Sequence, residues 1–172
     1  MNLAKALSLS GKRVLVVDLD MRKASLSKWG ERTDRGISNY LIGQADMDEI
    51  IMHNVDGNEG VDLIPVGILP PNPVELLSHA RLKELFEHLR HEYDYVLVDC
   101  PPAEIVADAR IISRDVDMTL FIVRAGMFEK GMIPDLEEYA TTNRYHNLAV
   151  ILNGTDPNSM YRRKRYGYGY GY

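Results

Sequence analysis

The residues of this 172-residue sequence best placed to do chemistry are acids at the ends of two apolar runs. In VLVVDLDMRK, Asp18, Asp20 and Arg22 follow Val14 to Val17, and in VLVDCPP, Asp99 follows Val96 to Val98. In an extended chain residues i, i+2 and i+4 point to one side, so Asp18, Asp20 and Arg22 are expected to face one pocket. Carboxylates side by side repel unless a cation lies between them or one is protonated. Mg2+ suits such a pair, because it takes a few carboxylate oxygens and completes its shell with waters and substrate phosphates. An Asp closing a buried strand is also what a Walker B position needs in order to reach a nucleotide's Mg2+. Either motif alone fits an ordinary solvated strand end; the two together weigh against that.

Buried strands and helices must position these acids. Val14 to Val17, Val96 to Val98, Leu120 to Val123 and Leu148 to Leu152 are continuous apolar runs, which predicts strands of a parallel sheet covered on both faces. Val61 to Val66 reads as a fifth strand, placed at an edge or ended by Pro65. Between them Leu82, Leu85, Phe86 and Leu89 recur at helical spacing, as do Met132, Ile133, Leu136 and Tyr139 within the stretch from Lys130 to about Asn143. Strands alternating with helices predict a three-layer α/β fold with a parallel sheet, whose ligands bind beyond the carboxyl ends of the strands. A third such end is AVILNG, which closes on Asn153.

Composition bounds the rest. Hydrophobic residues at 45% and charged residues at 26% are ordinary for one globular domain and exclude a disordered or collagen-like chain. No apolar run reaches the ~18 to 20 residues of a membrane span, and the first residues lack the pattern of a signal peptide, so the segment reads as cytoplasmic. Cys100, the single cysteine, has no partner for a disulfide or a zinc site and reads as a small residue filling the turn after Asp99. His88 and His91 read as solvated residues of a helix, and Tyr93 and Tyr95 as packing residues. The net charge of -5 conceals an acidic body: after Asp156 come only the positives Arg162, Arg163, Lys164 and Arg165, so residues 1 to 156 carry -9. Such a body argues against a nucleic-acid partner.

The composition is least ordinary at the end of the chain. Five of ten tyrosines, Tyr161, Tyr166, Tyr168, Tyr170 and Tyr172, lie in the last twelve residues, YRRKRYGYGYGY. Gly167, Gly169 and Gly171 oppose a packed core, so the segment is expected to be a flexible tail over 158–172, following a domain over 1–157. From Gly154 it can reach about 60 Å at most, enough to enter its own site or a neighbour's. An aromatic tail that stacks on RNA is the alternative, disfavoured by the acidic body. Each phosphate would add about -1.5 to -2 charges beside the RRKR cluster, which makes the tail a candidate electrostatic switch.

Taken together, VLVVDLDMRK resembles the Walker A′ motif of the bacterial tyrosine kinases, VLVDCPP their Walker B motif, PPNPVELL a segment characteristic of them, and YGYGYGY their autophosphorylated cluster. The resemblance spans essentially the whole sequence in the expected order. It implies a deviant P-loop NTPase fold and an ATP- and Mg2+-dependent protein-tyrosine autokinase that regulates capsule or exopolysaccharide polymerisation and export. It further implies that Asp18 and Asp99 hold Mg2+, that Asp20 orients or deprotonates the acceptor tyrosine, and that Asn153 reads adenine, although Asn153-Gly154 is also an ordinary turn pair. Arg22 would either counter the phosphates or pair with a neighbouring acid; Arg124, at another strand end, reads as a surface arginine. Implied partners are a membrane-embedded polysaccharide co-polymerase, fused or separate, further copies in a ring, and a cognate tyrosine phosphatase, at the inner face of the cell membrane.

One element of the resemblance is missing. No GxxxxGK[ST] loop occurs, and MNLAKALSLSGKR, with its Leu3, Ala6 and Leu7 stripe, resembles the helix that follows that loop. The expectation is therefore a domain without its first strand and phosphate loop, inactive alone, with an open edge beside the strand that ends in Asp18. The alternatives are a deviant P-loop ATPase acting as a positional switch, which shares the first two motifs but not the tyrosine tail, and a non-catalytic phospho-acceptor or adaptor.

Overall fold

The computed structural model describes residues 1–24, 26, 34–101, 108–142 and 144–155. These fall into two compact units, Met1–Asp115 and a second beginning at Val116. The tyrosine-rich segment lies outside the described residues.

The first unit is built on three parallel strands in the order β2-β1-β3: β1 (Val14–Asp18), β2 (Val61–Ile64) and β3 (Tyr95–Asp99). Every residue of β1 is buried, as its unbroken apolar run requires for a central parallel strand covered on both faces. β2 is an edge strand that stops just before Pro65, where the loss of an amide would interrupt the ladder. The expected slot or open edge beside the strand ending in Asp18 is corrected here: β1 is hydrogen-bonded on both sides, and among the described residues the edges of this sheet are β2 and β3.

One face of β1 packs Val14 and Val16 against Ala4 of helix α1 (Asn2–Ser8), together with Val61, Leu63 and Val55. The N-terminal helix thus exists as expected, but its inward residues are Ala4 and Leu7; Leu3 is half exposed and Ala6 exposed. Two short helices follow in chain order on either side of β2, α2 (Ile37–Leu41) and α3 (Pro73–Leu77), the latter closing the PPNPVELL segment with Pro at its first turn. Helix α4 (Ala80–Glu92) buries Leu82, Leu85, Phe86 and Leu89, the predicted stripe, and packs at β3. Helix α5 (Asp108–Ile112) packs on α3. Beyond β2 the chain passes so close to the start of α2 that a Cβ on Gly36 would lie 2.3 Å from the Gly67 amide nitrogen, which only glycine avoids.

The acids at the amino end of this sheet are fully provided for. Asp62 accepts from His53 Nδ1 (2.9 Å), the Asn54 amide (3.0 Å) and Tyr93 Oη (2.8 Å). Burial and this bond to Asp62 hold the Tyr93 phenol protonated well above the usual tyrosine range. Asp94 accepts from the Arg13 amide at 2.8 Å and lies 3.7 Å from Lys12 Nζ; the Arg13 amide, aided by the two cations, holds its carboxyl below the usual range.

The second unit pairs β4 (Thr119–Arg124) in parallel with β5 (Leu148–Asn153). The expected burial on both faces is not found: Ile122, Val150 and Leu152 are more than half exposed, because among the described residues this sheet has two strands only. The predicted helix from Lys130 is a 3-10 turn, Lys130–Met132, followed by α6 (Ile133–Thr141), with Met132, Leu136 and Tyr139 half-buried. Asn143, its expected end, lies outside the described residues. No described helix is long and apolar enough to cross a membrane.

Candidate functional site

Parallel pairing sets the site. Asp18 and Asp99 are the last residues of β1 and β3, and they are Cα partners in register, so two carboxylates from distant parts of the sequence stand side by side at the carboxyl end of the sheet. Asp18 is fully buried; its Oδ1 accepts from the Asp20 amide and its Oδ2 from the Leu26 amide, each at 3.1 Å. Burial pushes its carboxyl up from 3.8 to about 6, with the charges of Asp99 and Asp20 adding to the rise and the two amides opposing it.

Asp20 is reached differently from the expectation. The strand ends at Asp18, and the chain turns over Met21 to Lys23 rather than continuing extended to Arg22. Asp20 Oδ1 accepts from the Arg22 and Lys23 amides at 3.2 and 3.1 Å, the side-chain-to-backbone turn typical of aspartate. Leu19 and Met21 are buried on either side of it, so the turn is pinned and Asp20 itself is only 6% exposed. Arg22, placed by that turn, donates Nε to Asp108 Oδ2 at 3.1 Å. Of the two roles expected for it, pairing with an acid is therefore realised.

Asp108 is the residue that sequence reasoning missed. It begins α5, is 1% exposed, and its Oδ1 has no hydrogen-bond partner among the described residues. Cys100 lies among all four acids: burial pushes its thiol up to about 12, and Asp99, Asp108, Asp20 and Asp18 each raise it further. A thiol so held stays protonated at neutral pH, which agrees with a space-filling residue and excludes a thiolate nucleophile.

Asn153 ends β5 in the second unit, as a Cα partner of Arg124, and its Oδ1 accepts from the Gly154 amide at 2.8 Å. Its amide is thus used in the Asn-Gly turn. Tyr161, Tyr166, Tyr168, Tyr170 and Tyr172 lie outside the described residues.

The donor set fits Mg2+. Asp18 and Asp99 offer hard carboxylate oxygens from neighbouring strand ends, the first of them fully buried, as suits this ion. Among the described residues no group of three or more His, Cys, Asp or Glu side chains could hold a metal by itself, so waters or substrate oxygens would complete the shell.

The profile of an AAA domain matches residues 1–126, and the chain belongs to that family. Its relatives include tyrosine-protein kinase ptk of Acinetobacter johnsonii, 38% identical over 162 residues, covering 94% of this chain and 21% of that protein. The chain spans about a fifth of the length of such relatives. Among solved structures, the kinase domain of Escherichia coli tyrosine kinase ETK superposes with a TM-score of 0.81 at 32% identity, covering 99% of this chain and 64% of that one. The septum site-determining protein MinD of Pyrococcus horikoshii, in complex with Mg-ADP, superposes with a TM-score of 0.71 over 92% of this chain and 67% of that one, at 23% identity, a likeness of fold alone. The expected α/β P-loop NTPase fold and the resemblance to the bacterial tyrosine kinases are both borne out.

Proposed function

We propose that the chain is the catalytic part of a bacterial tyrosine autokinase that phosphorylates its own C-terminal tyrosines with ATP and takes part in capsule or exopolysaccharide export. The observation that carries this reading is the in-register pair Asp18 and Asp99 beside the turn-held Asp20, at the carboxyl end of a parallel sheet. Mg2+, when bound by Asp18 and Asp99, would supply charge neutralisation at the transferring phosphoryl group. Asp20 accepts the phenolic proton as the tyrosine oxygen bonds to the γ-phosphorus and the bond to the bridging oxygen breaks, releasing ADP. Its turn engages Oδ1, which fixes the carboxylate's direction without using both oxygens. Arg22 contributes positive charge at the same end, and Asn153 is the proposed adenine contact.

The 172 residues hold the carboxylate half of such a site but no GxxxxGK[ST] loop, so this polypeptide by itself binds ATP weakly and transfers little. Its proposed partners are a membrane-embedded co-polymerase, neighbouring copies whose sites receive the tail, and a phosphatase that resets it, at the cytoplasmic face of the membrane. The test is mass spectrometry of residues 161–172 after the complete protein is incubated with ATP and Mg2+. Phosphate on the tyrosines, lost in Asp20→Asn, is expected; ATP hydrolysis with an unmodified tail would instead favour a positional ATPase.

A further inference from the structure

We propose that Asp108 is a positioning residue for Arg22, holding the guanidinium by Nε so that its Nη edge is presented to the phosphate oxygens of a bound nucleotide; the inference rests on the nucleotide-dependent reading above. The two residues lie 86 positions apart and meet through one directed bond, Nε to Oδ2 at 3.1 Å. A guanidinium held through Nε keeps its two Nη groups as a parallel pair, the fork that matches a phosphate or carboxylate.

Burial makes the anchoring asymmetric. The Asp108 side chain is 1% exposed and that of Arg22 43%, so the acid end of the pair is fixed in the interior while the cation reaches the accessible side. Asp108 Oδ1 is buried without a partner among the described residues, so this carboxylate depends on Arg22 for compensation, and releasing Arg22 would leave a buried charge unpaired. Arg22 comes from the turn that Asp20 holds, so the bond to Asp108 stands beside the proposed site. Helix α5, which carries Asp108, packs on α3 of the PPNPVELL segment, giving the anchor a support independent of β1.

The test compares wild type, Arg22→Ala, Asp108→Ala and the double variant in the complete protein, reading ATP Kd by calorimetry, KM and kcat for phosphoryl transfer, and thermal midpoint. Each single change should weaken ATP about 10- to 100-fold, the worth of a hydrogen bond to a charged group, and the double variant should be no weaker than Arg22→Ala. Asp108→Asn, which keeps an acceptor for Nε, should recover most of the affinity. Additive losses, or a loss of affinity that simply follows the fall in midpoint, would overturn the proposal. Should Asp108→Ala fail to fold, Arg22→Lys decides: it keeps the charge but has no Nε, so wild-type affinity in that variant defeats the idea. Wild type that binds ATP but leaves tyrosine unmodified defeats the kinase reading while the ATP comparison still judges Asp108.

Discussion

The two ends of the three-stranded sheet use the same residue type in opposite ways. At the amino end, Asp62 has three donors and Asp94 an amide and a lysine, and the Asp94 carboxyl is held below its usual range. At the carboxyl end, Asp18, Asp20, Asp99 and Asp108 crowd one thiol, Asp18 is pushed up to about 6, and one oxygen of Asp108 has no partner among the described residues. Acids that hold a fold together are matched to donors already in the chain. Asp18, fully buried and pushed up beside a second strand-end acid despite its two amide donors, is the kind of perturbed group that marks a candidate site.

The largest effect that could break this contrast is on activity. Asp20→Asn in the complete protein should lower phosphotyrosine formation about 100-fold or more, with little change in thermal midpoint, because it removes a proton acceptor and keeps the shape; a fall in midpoint with activity intact would invert the assignment. Next, Asp62→Ala should destabilise by about 1–3 kcal/mol in urea titrations, since it strands the donors of His53, Asn54 and Tyr93, while kcat stays near wild type.

A third effect is one of sign. Asp18 titrates near 6 in the folded chain against 3.8 unfolded, so between those values the native state binds the extra proton and this group's contribution to stability falls as pH rises. Asp94, depressed, does the reverse: its contribution is present above the ordinary carboxylate value and is lost as pH falls through its folded value. Urea midpoints followed against pH should show the first slope vanish in Asp18→Asn and the second in Asp94→Asn, and Mg2+ should flatten the first alone. An unchanged profile in Asp18→Asn would show that its charge is not the uncompensated one. Smallest, Tyr93→Phe should cost about 1 kcal/mol of stability, read in the same titration, because Asp62 keeps its other two donors.

What could be read from the sequence was local. An apolar run closed by an acid announced Asp18 and Asp99 because strand burial and strand end are written in adjacent residues. Their pairing was not legible, since register is decided between segments 81 residues apart. Asp20 was read as part of an extended stretch for a definite reason: Leu19 and Met21 alternate with it exactly as strand residues do, yet they are buried by a turn. Asp108 gave no signal, because its only mark is a partner 86 positions away. The exposure of β4 and β5 was equally hidden, for an apolar run states what a strand would bury and not how many neighbours it has.

The register of β1 on β3 has one more consequence. In a sheet, a slip by one residue turns every side chain to the opposite face, so a misaligned pairing would separate Asp18 from Asp99 while leaving the apolar runs in contact. The closeness of the two carboxylates is thus a property of the register and not of either strand alone.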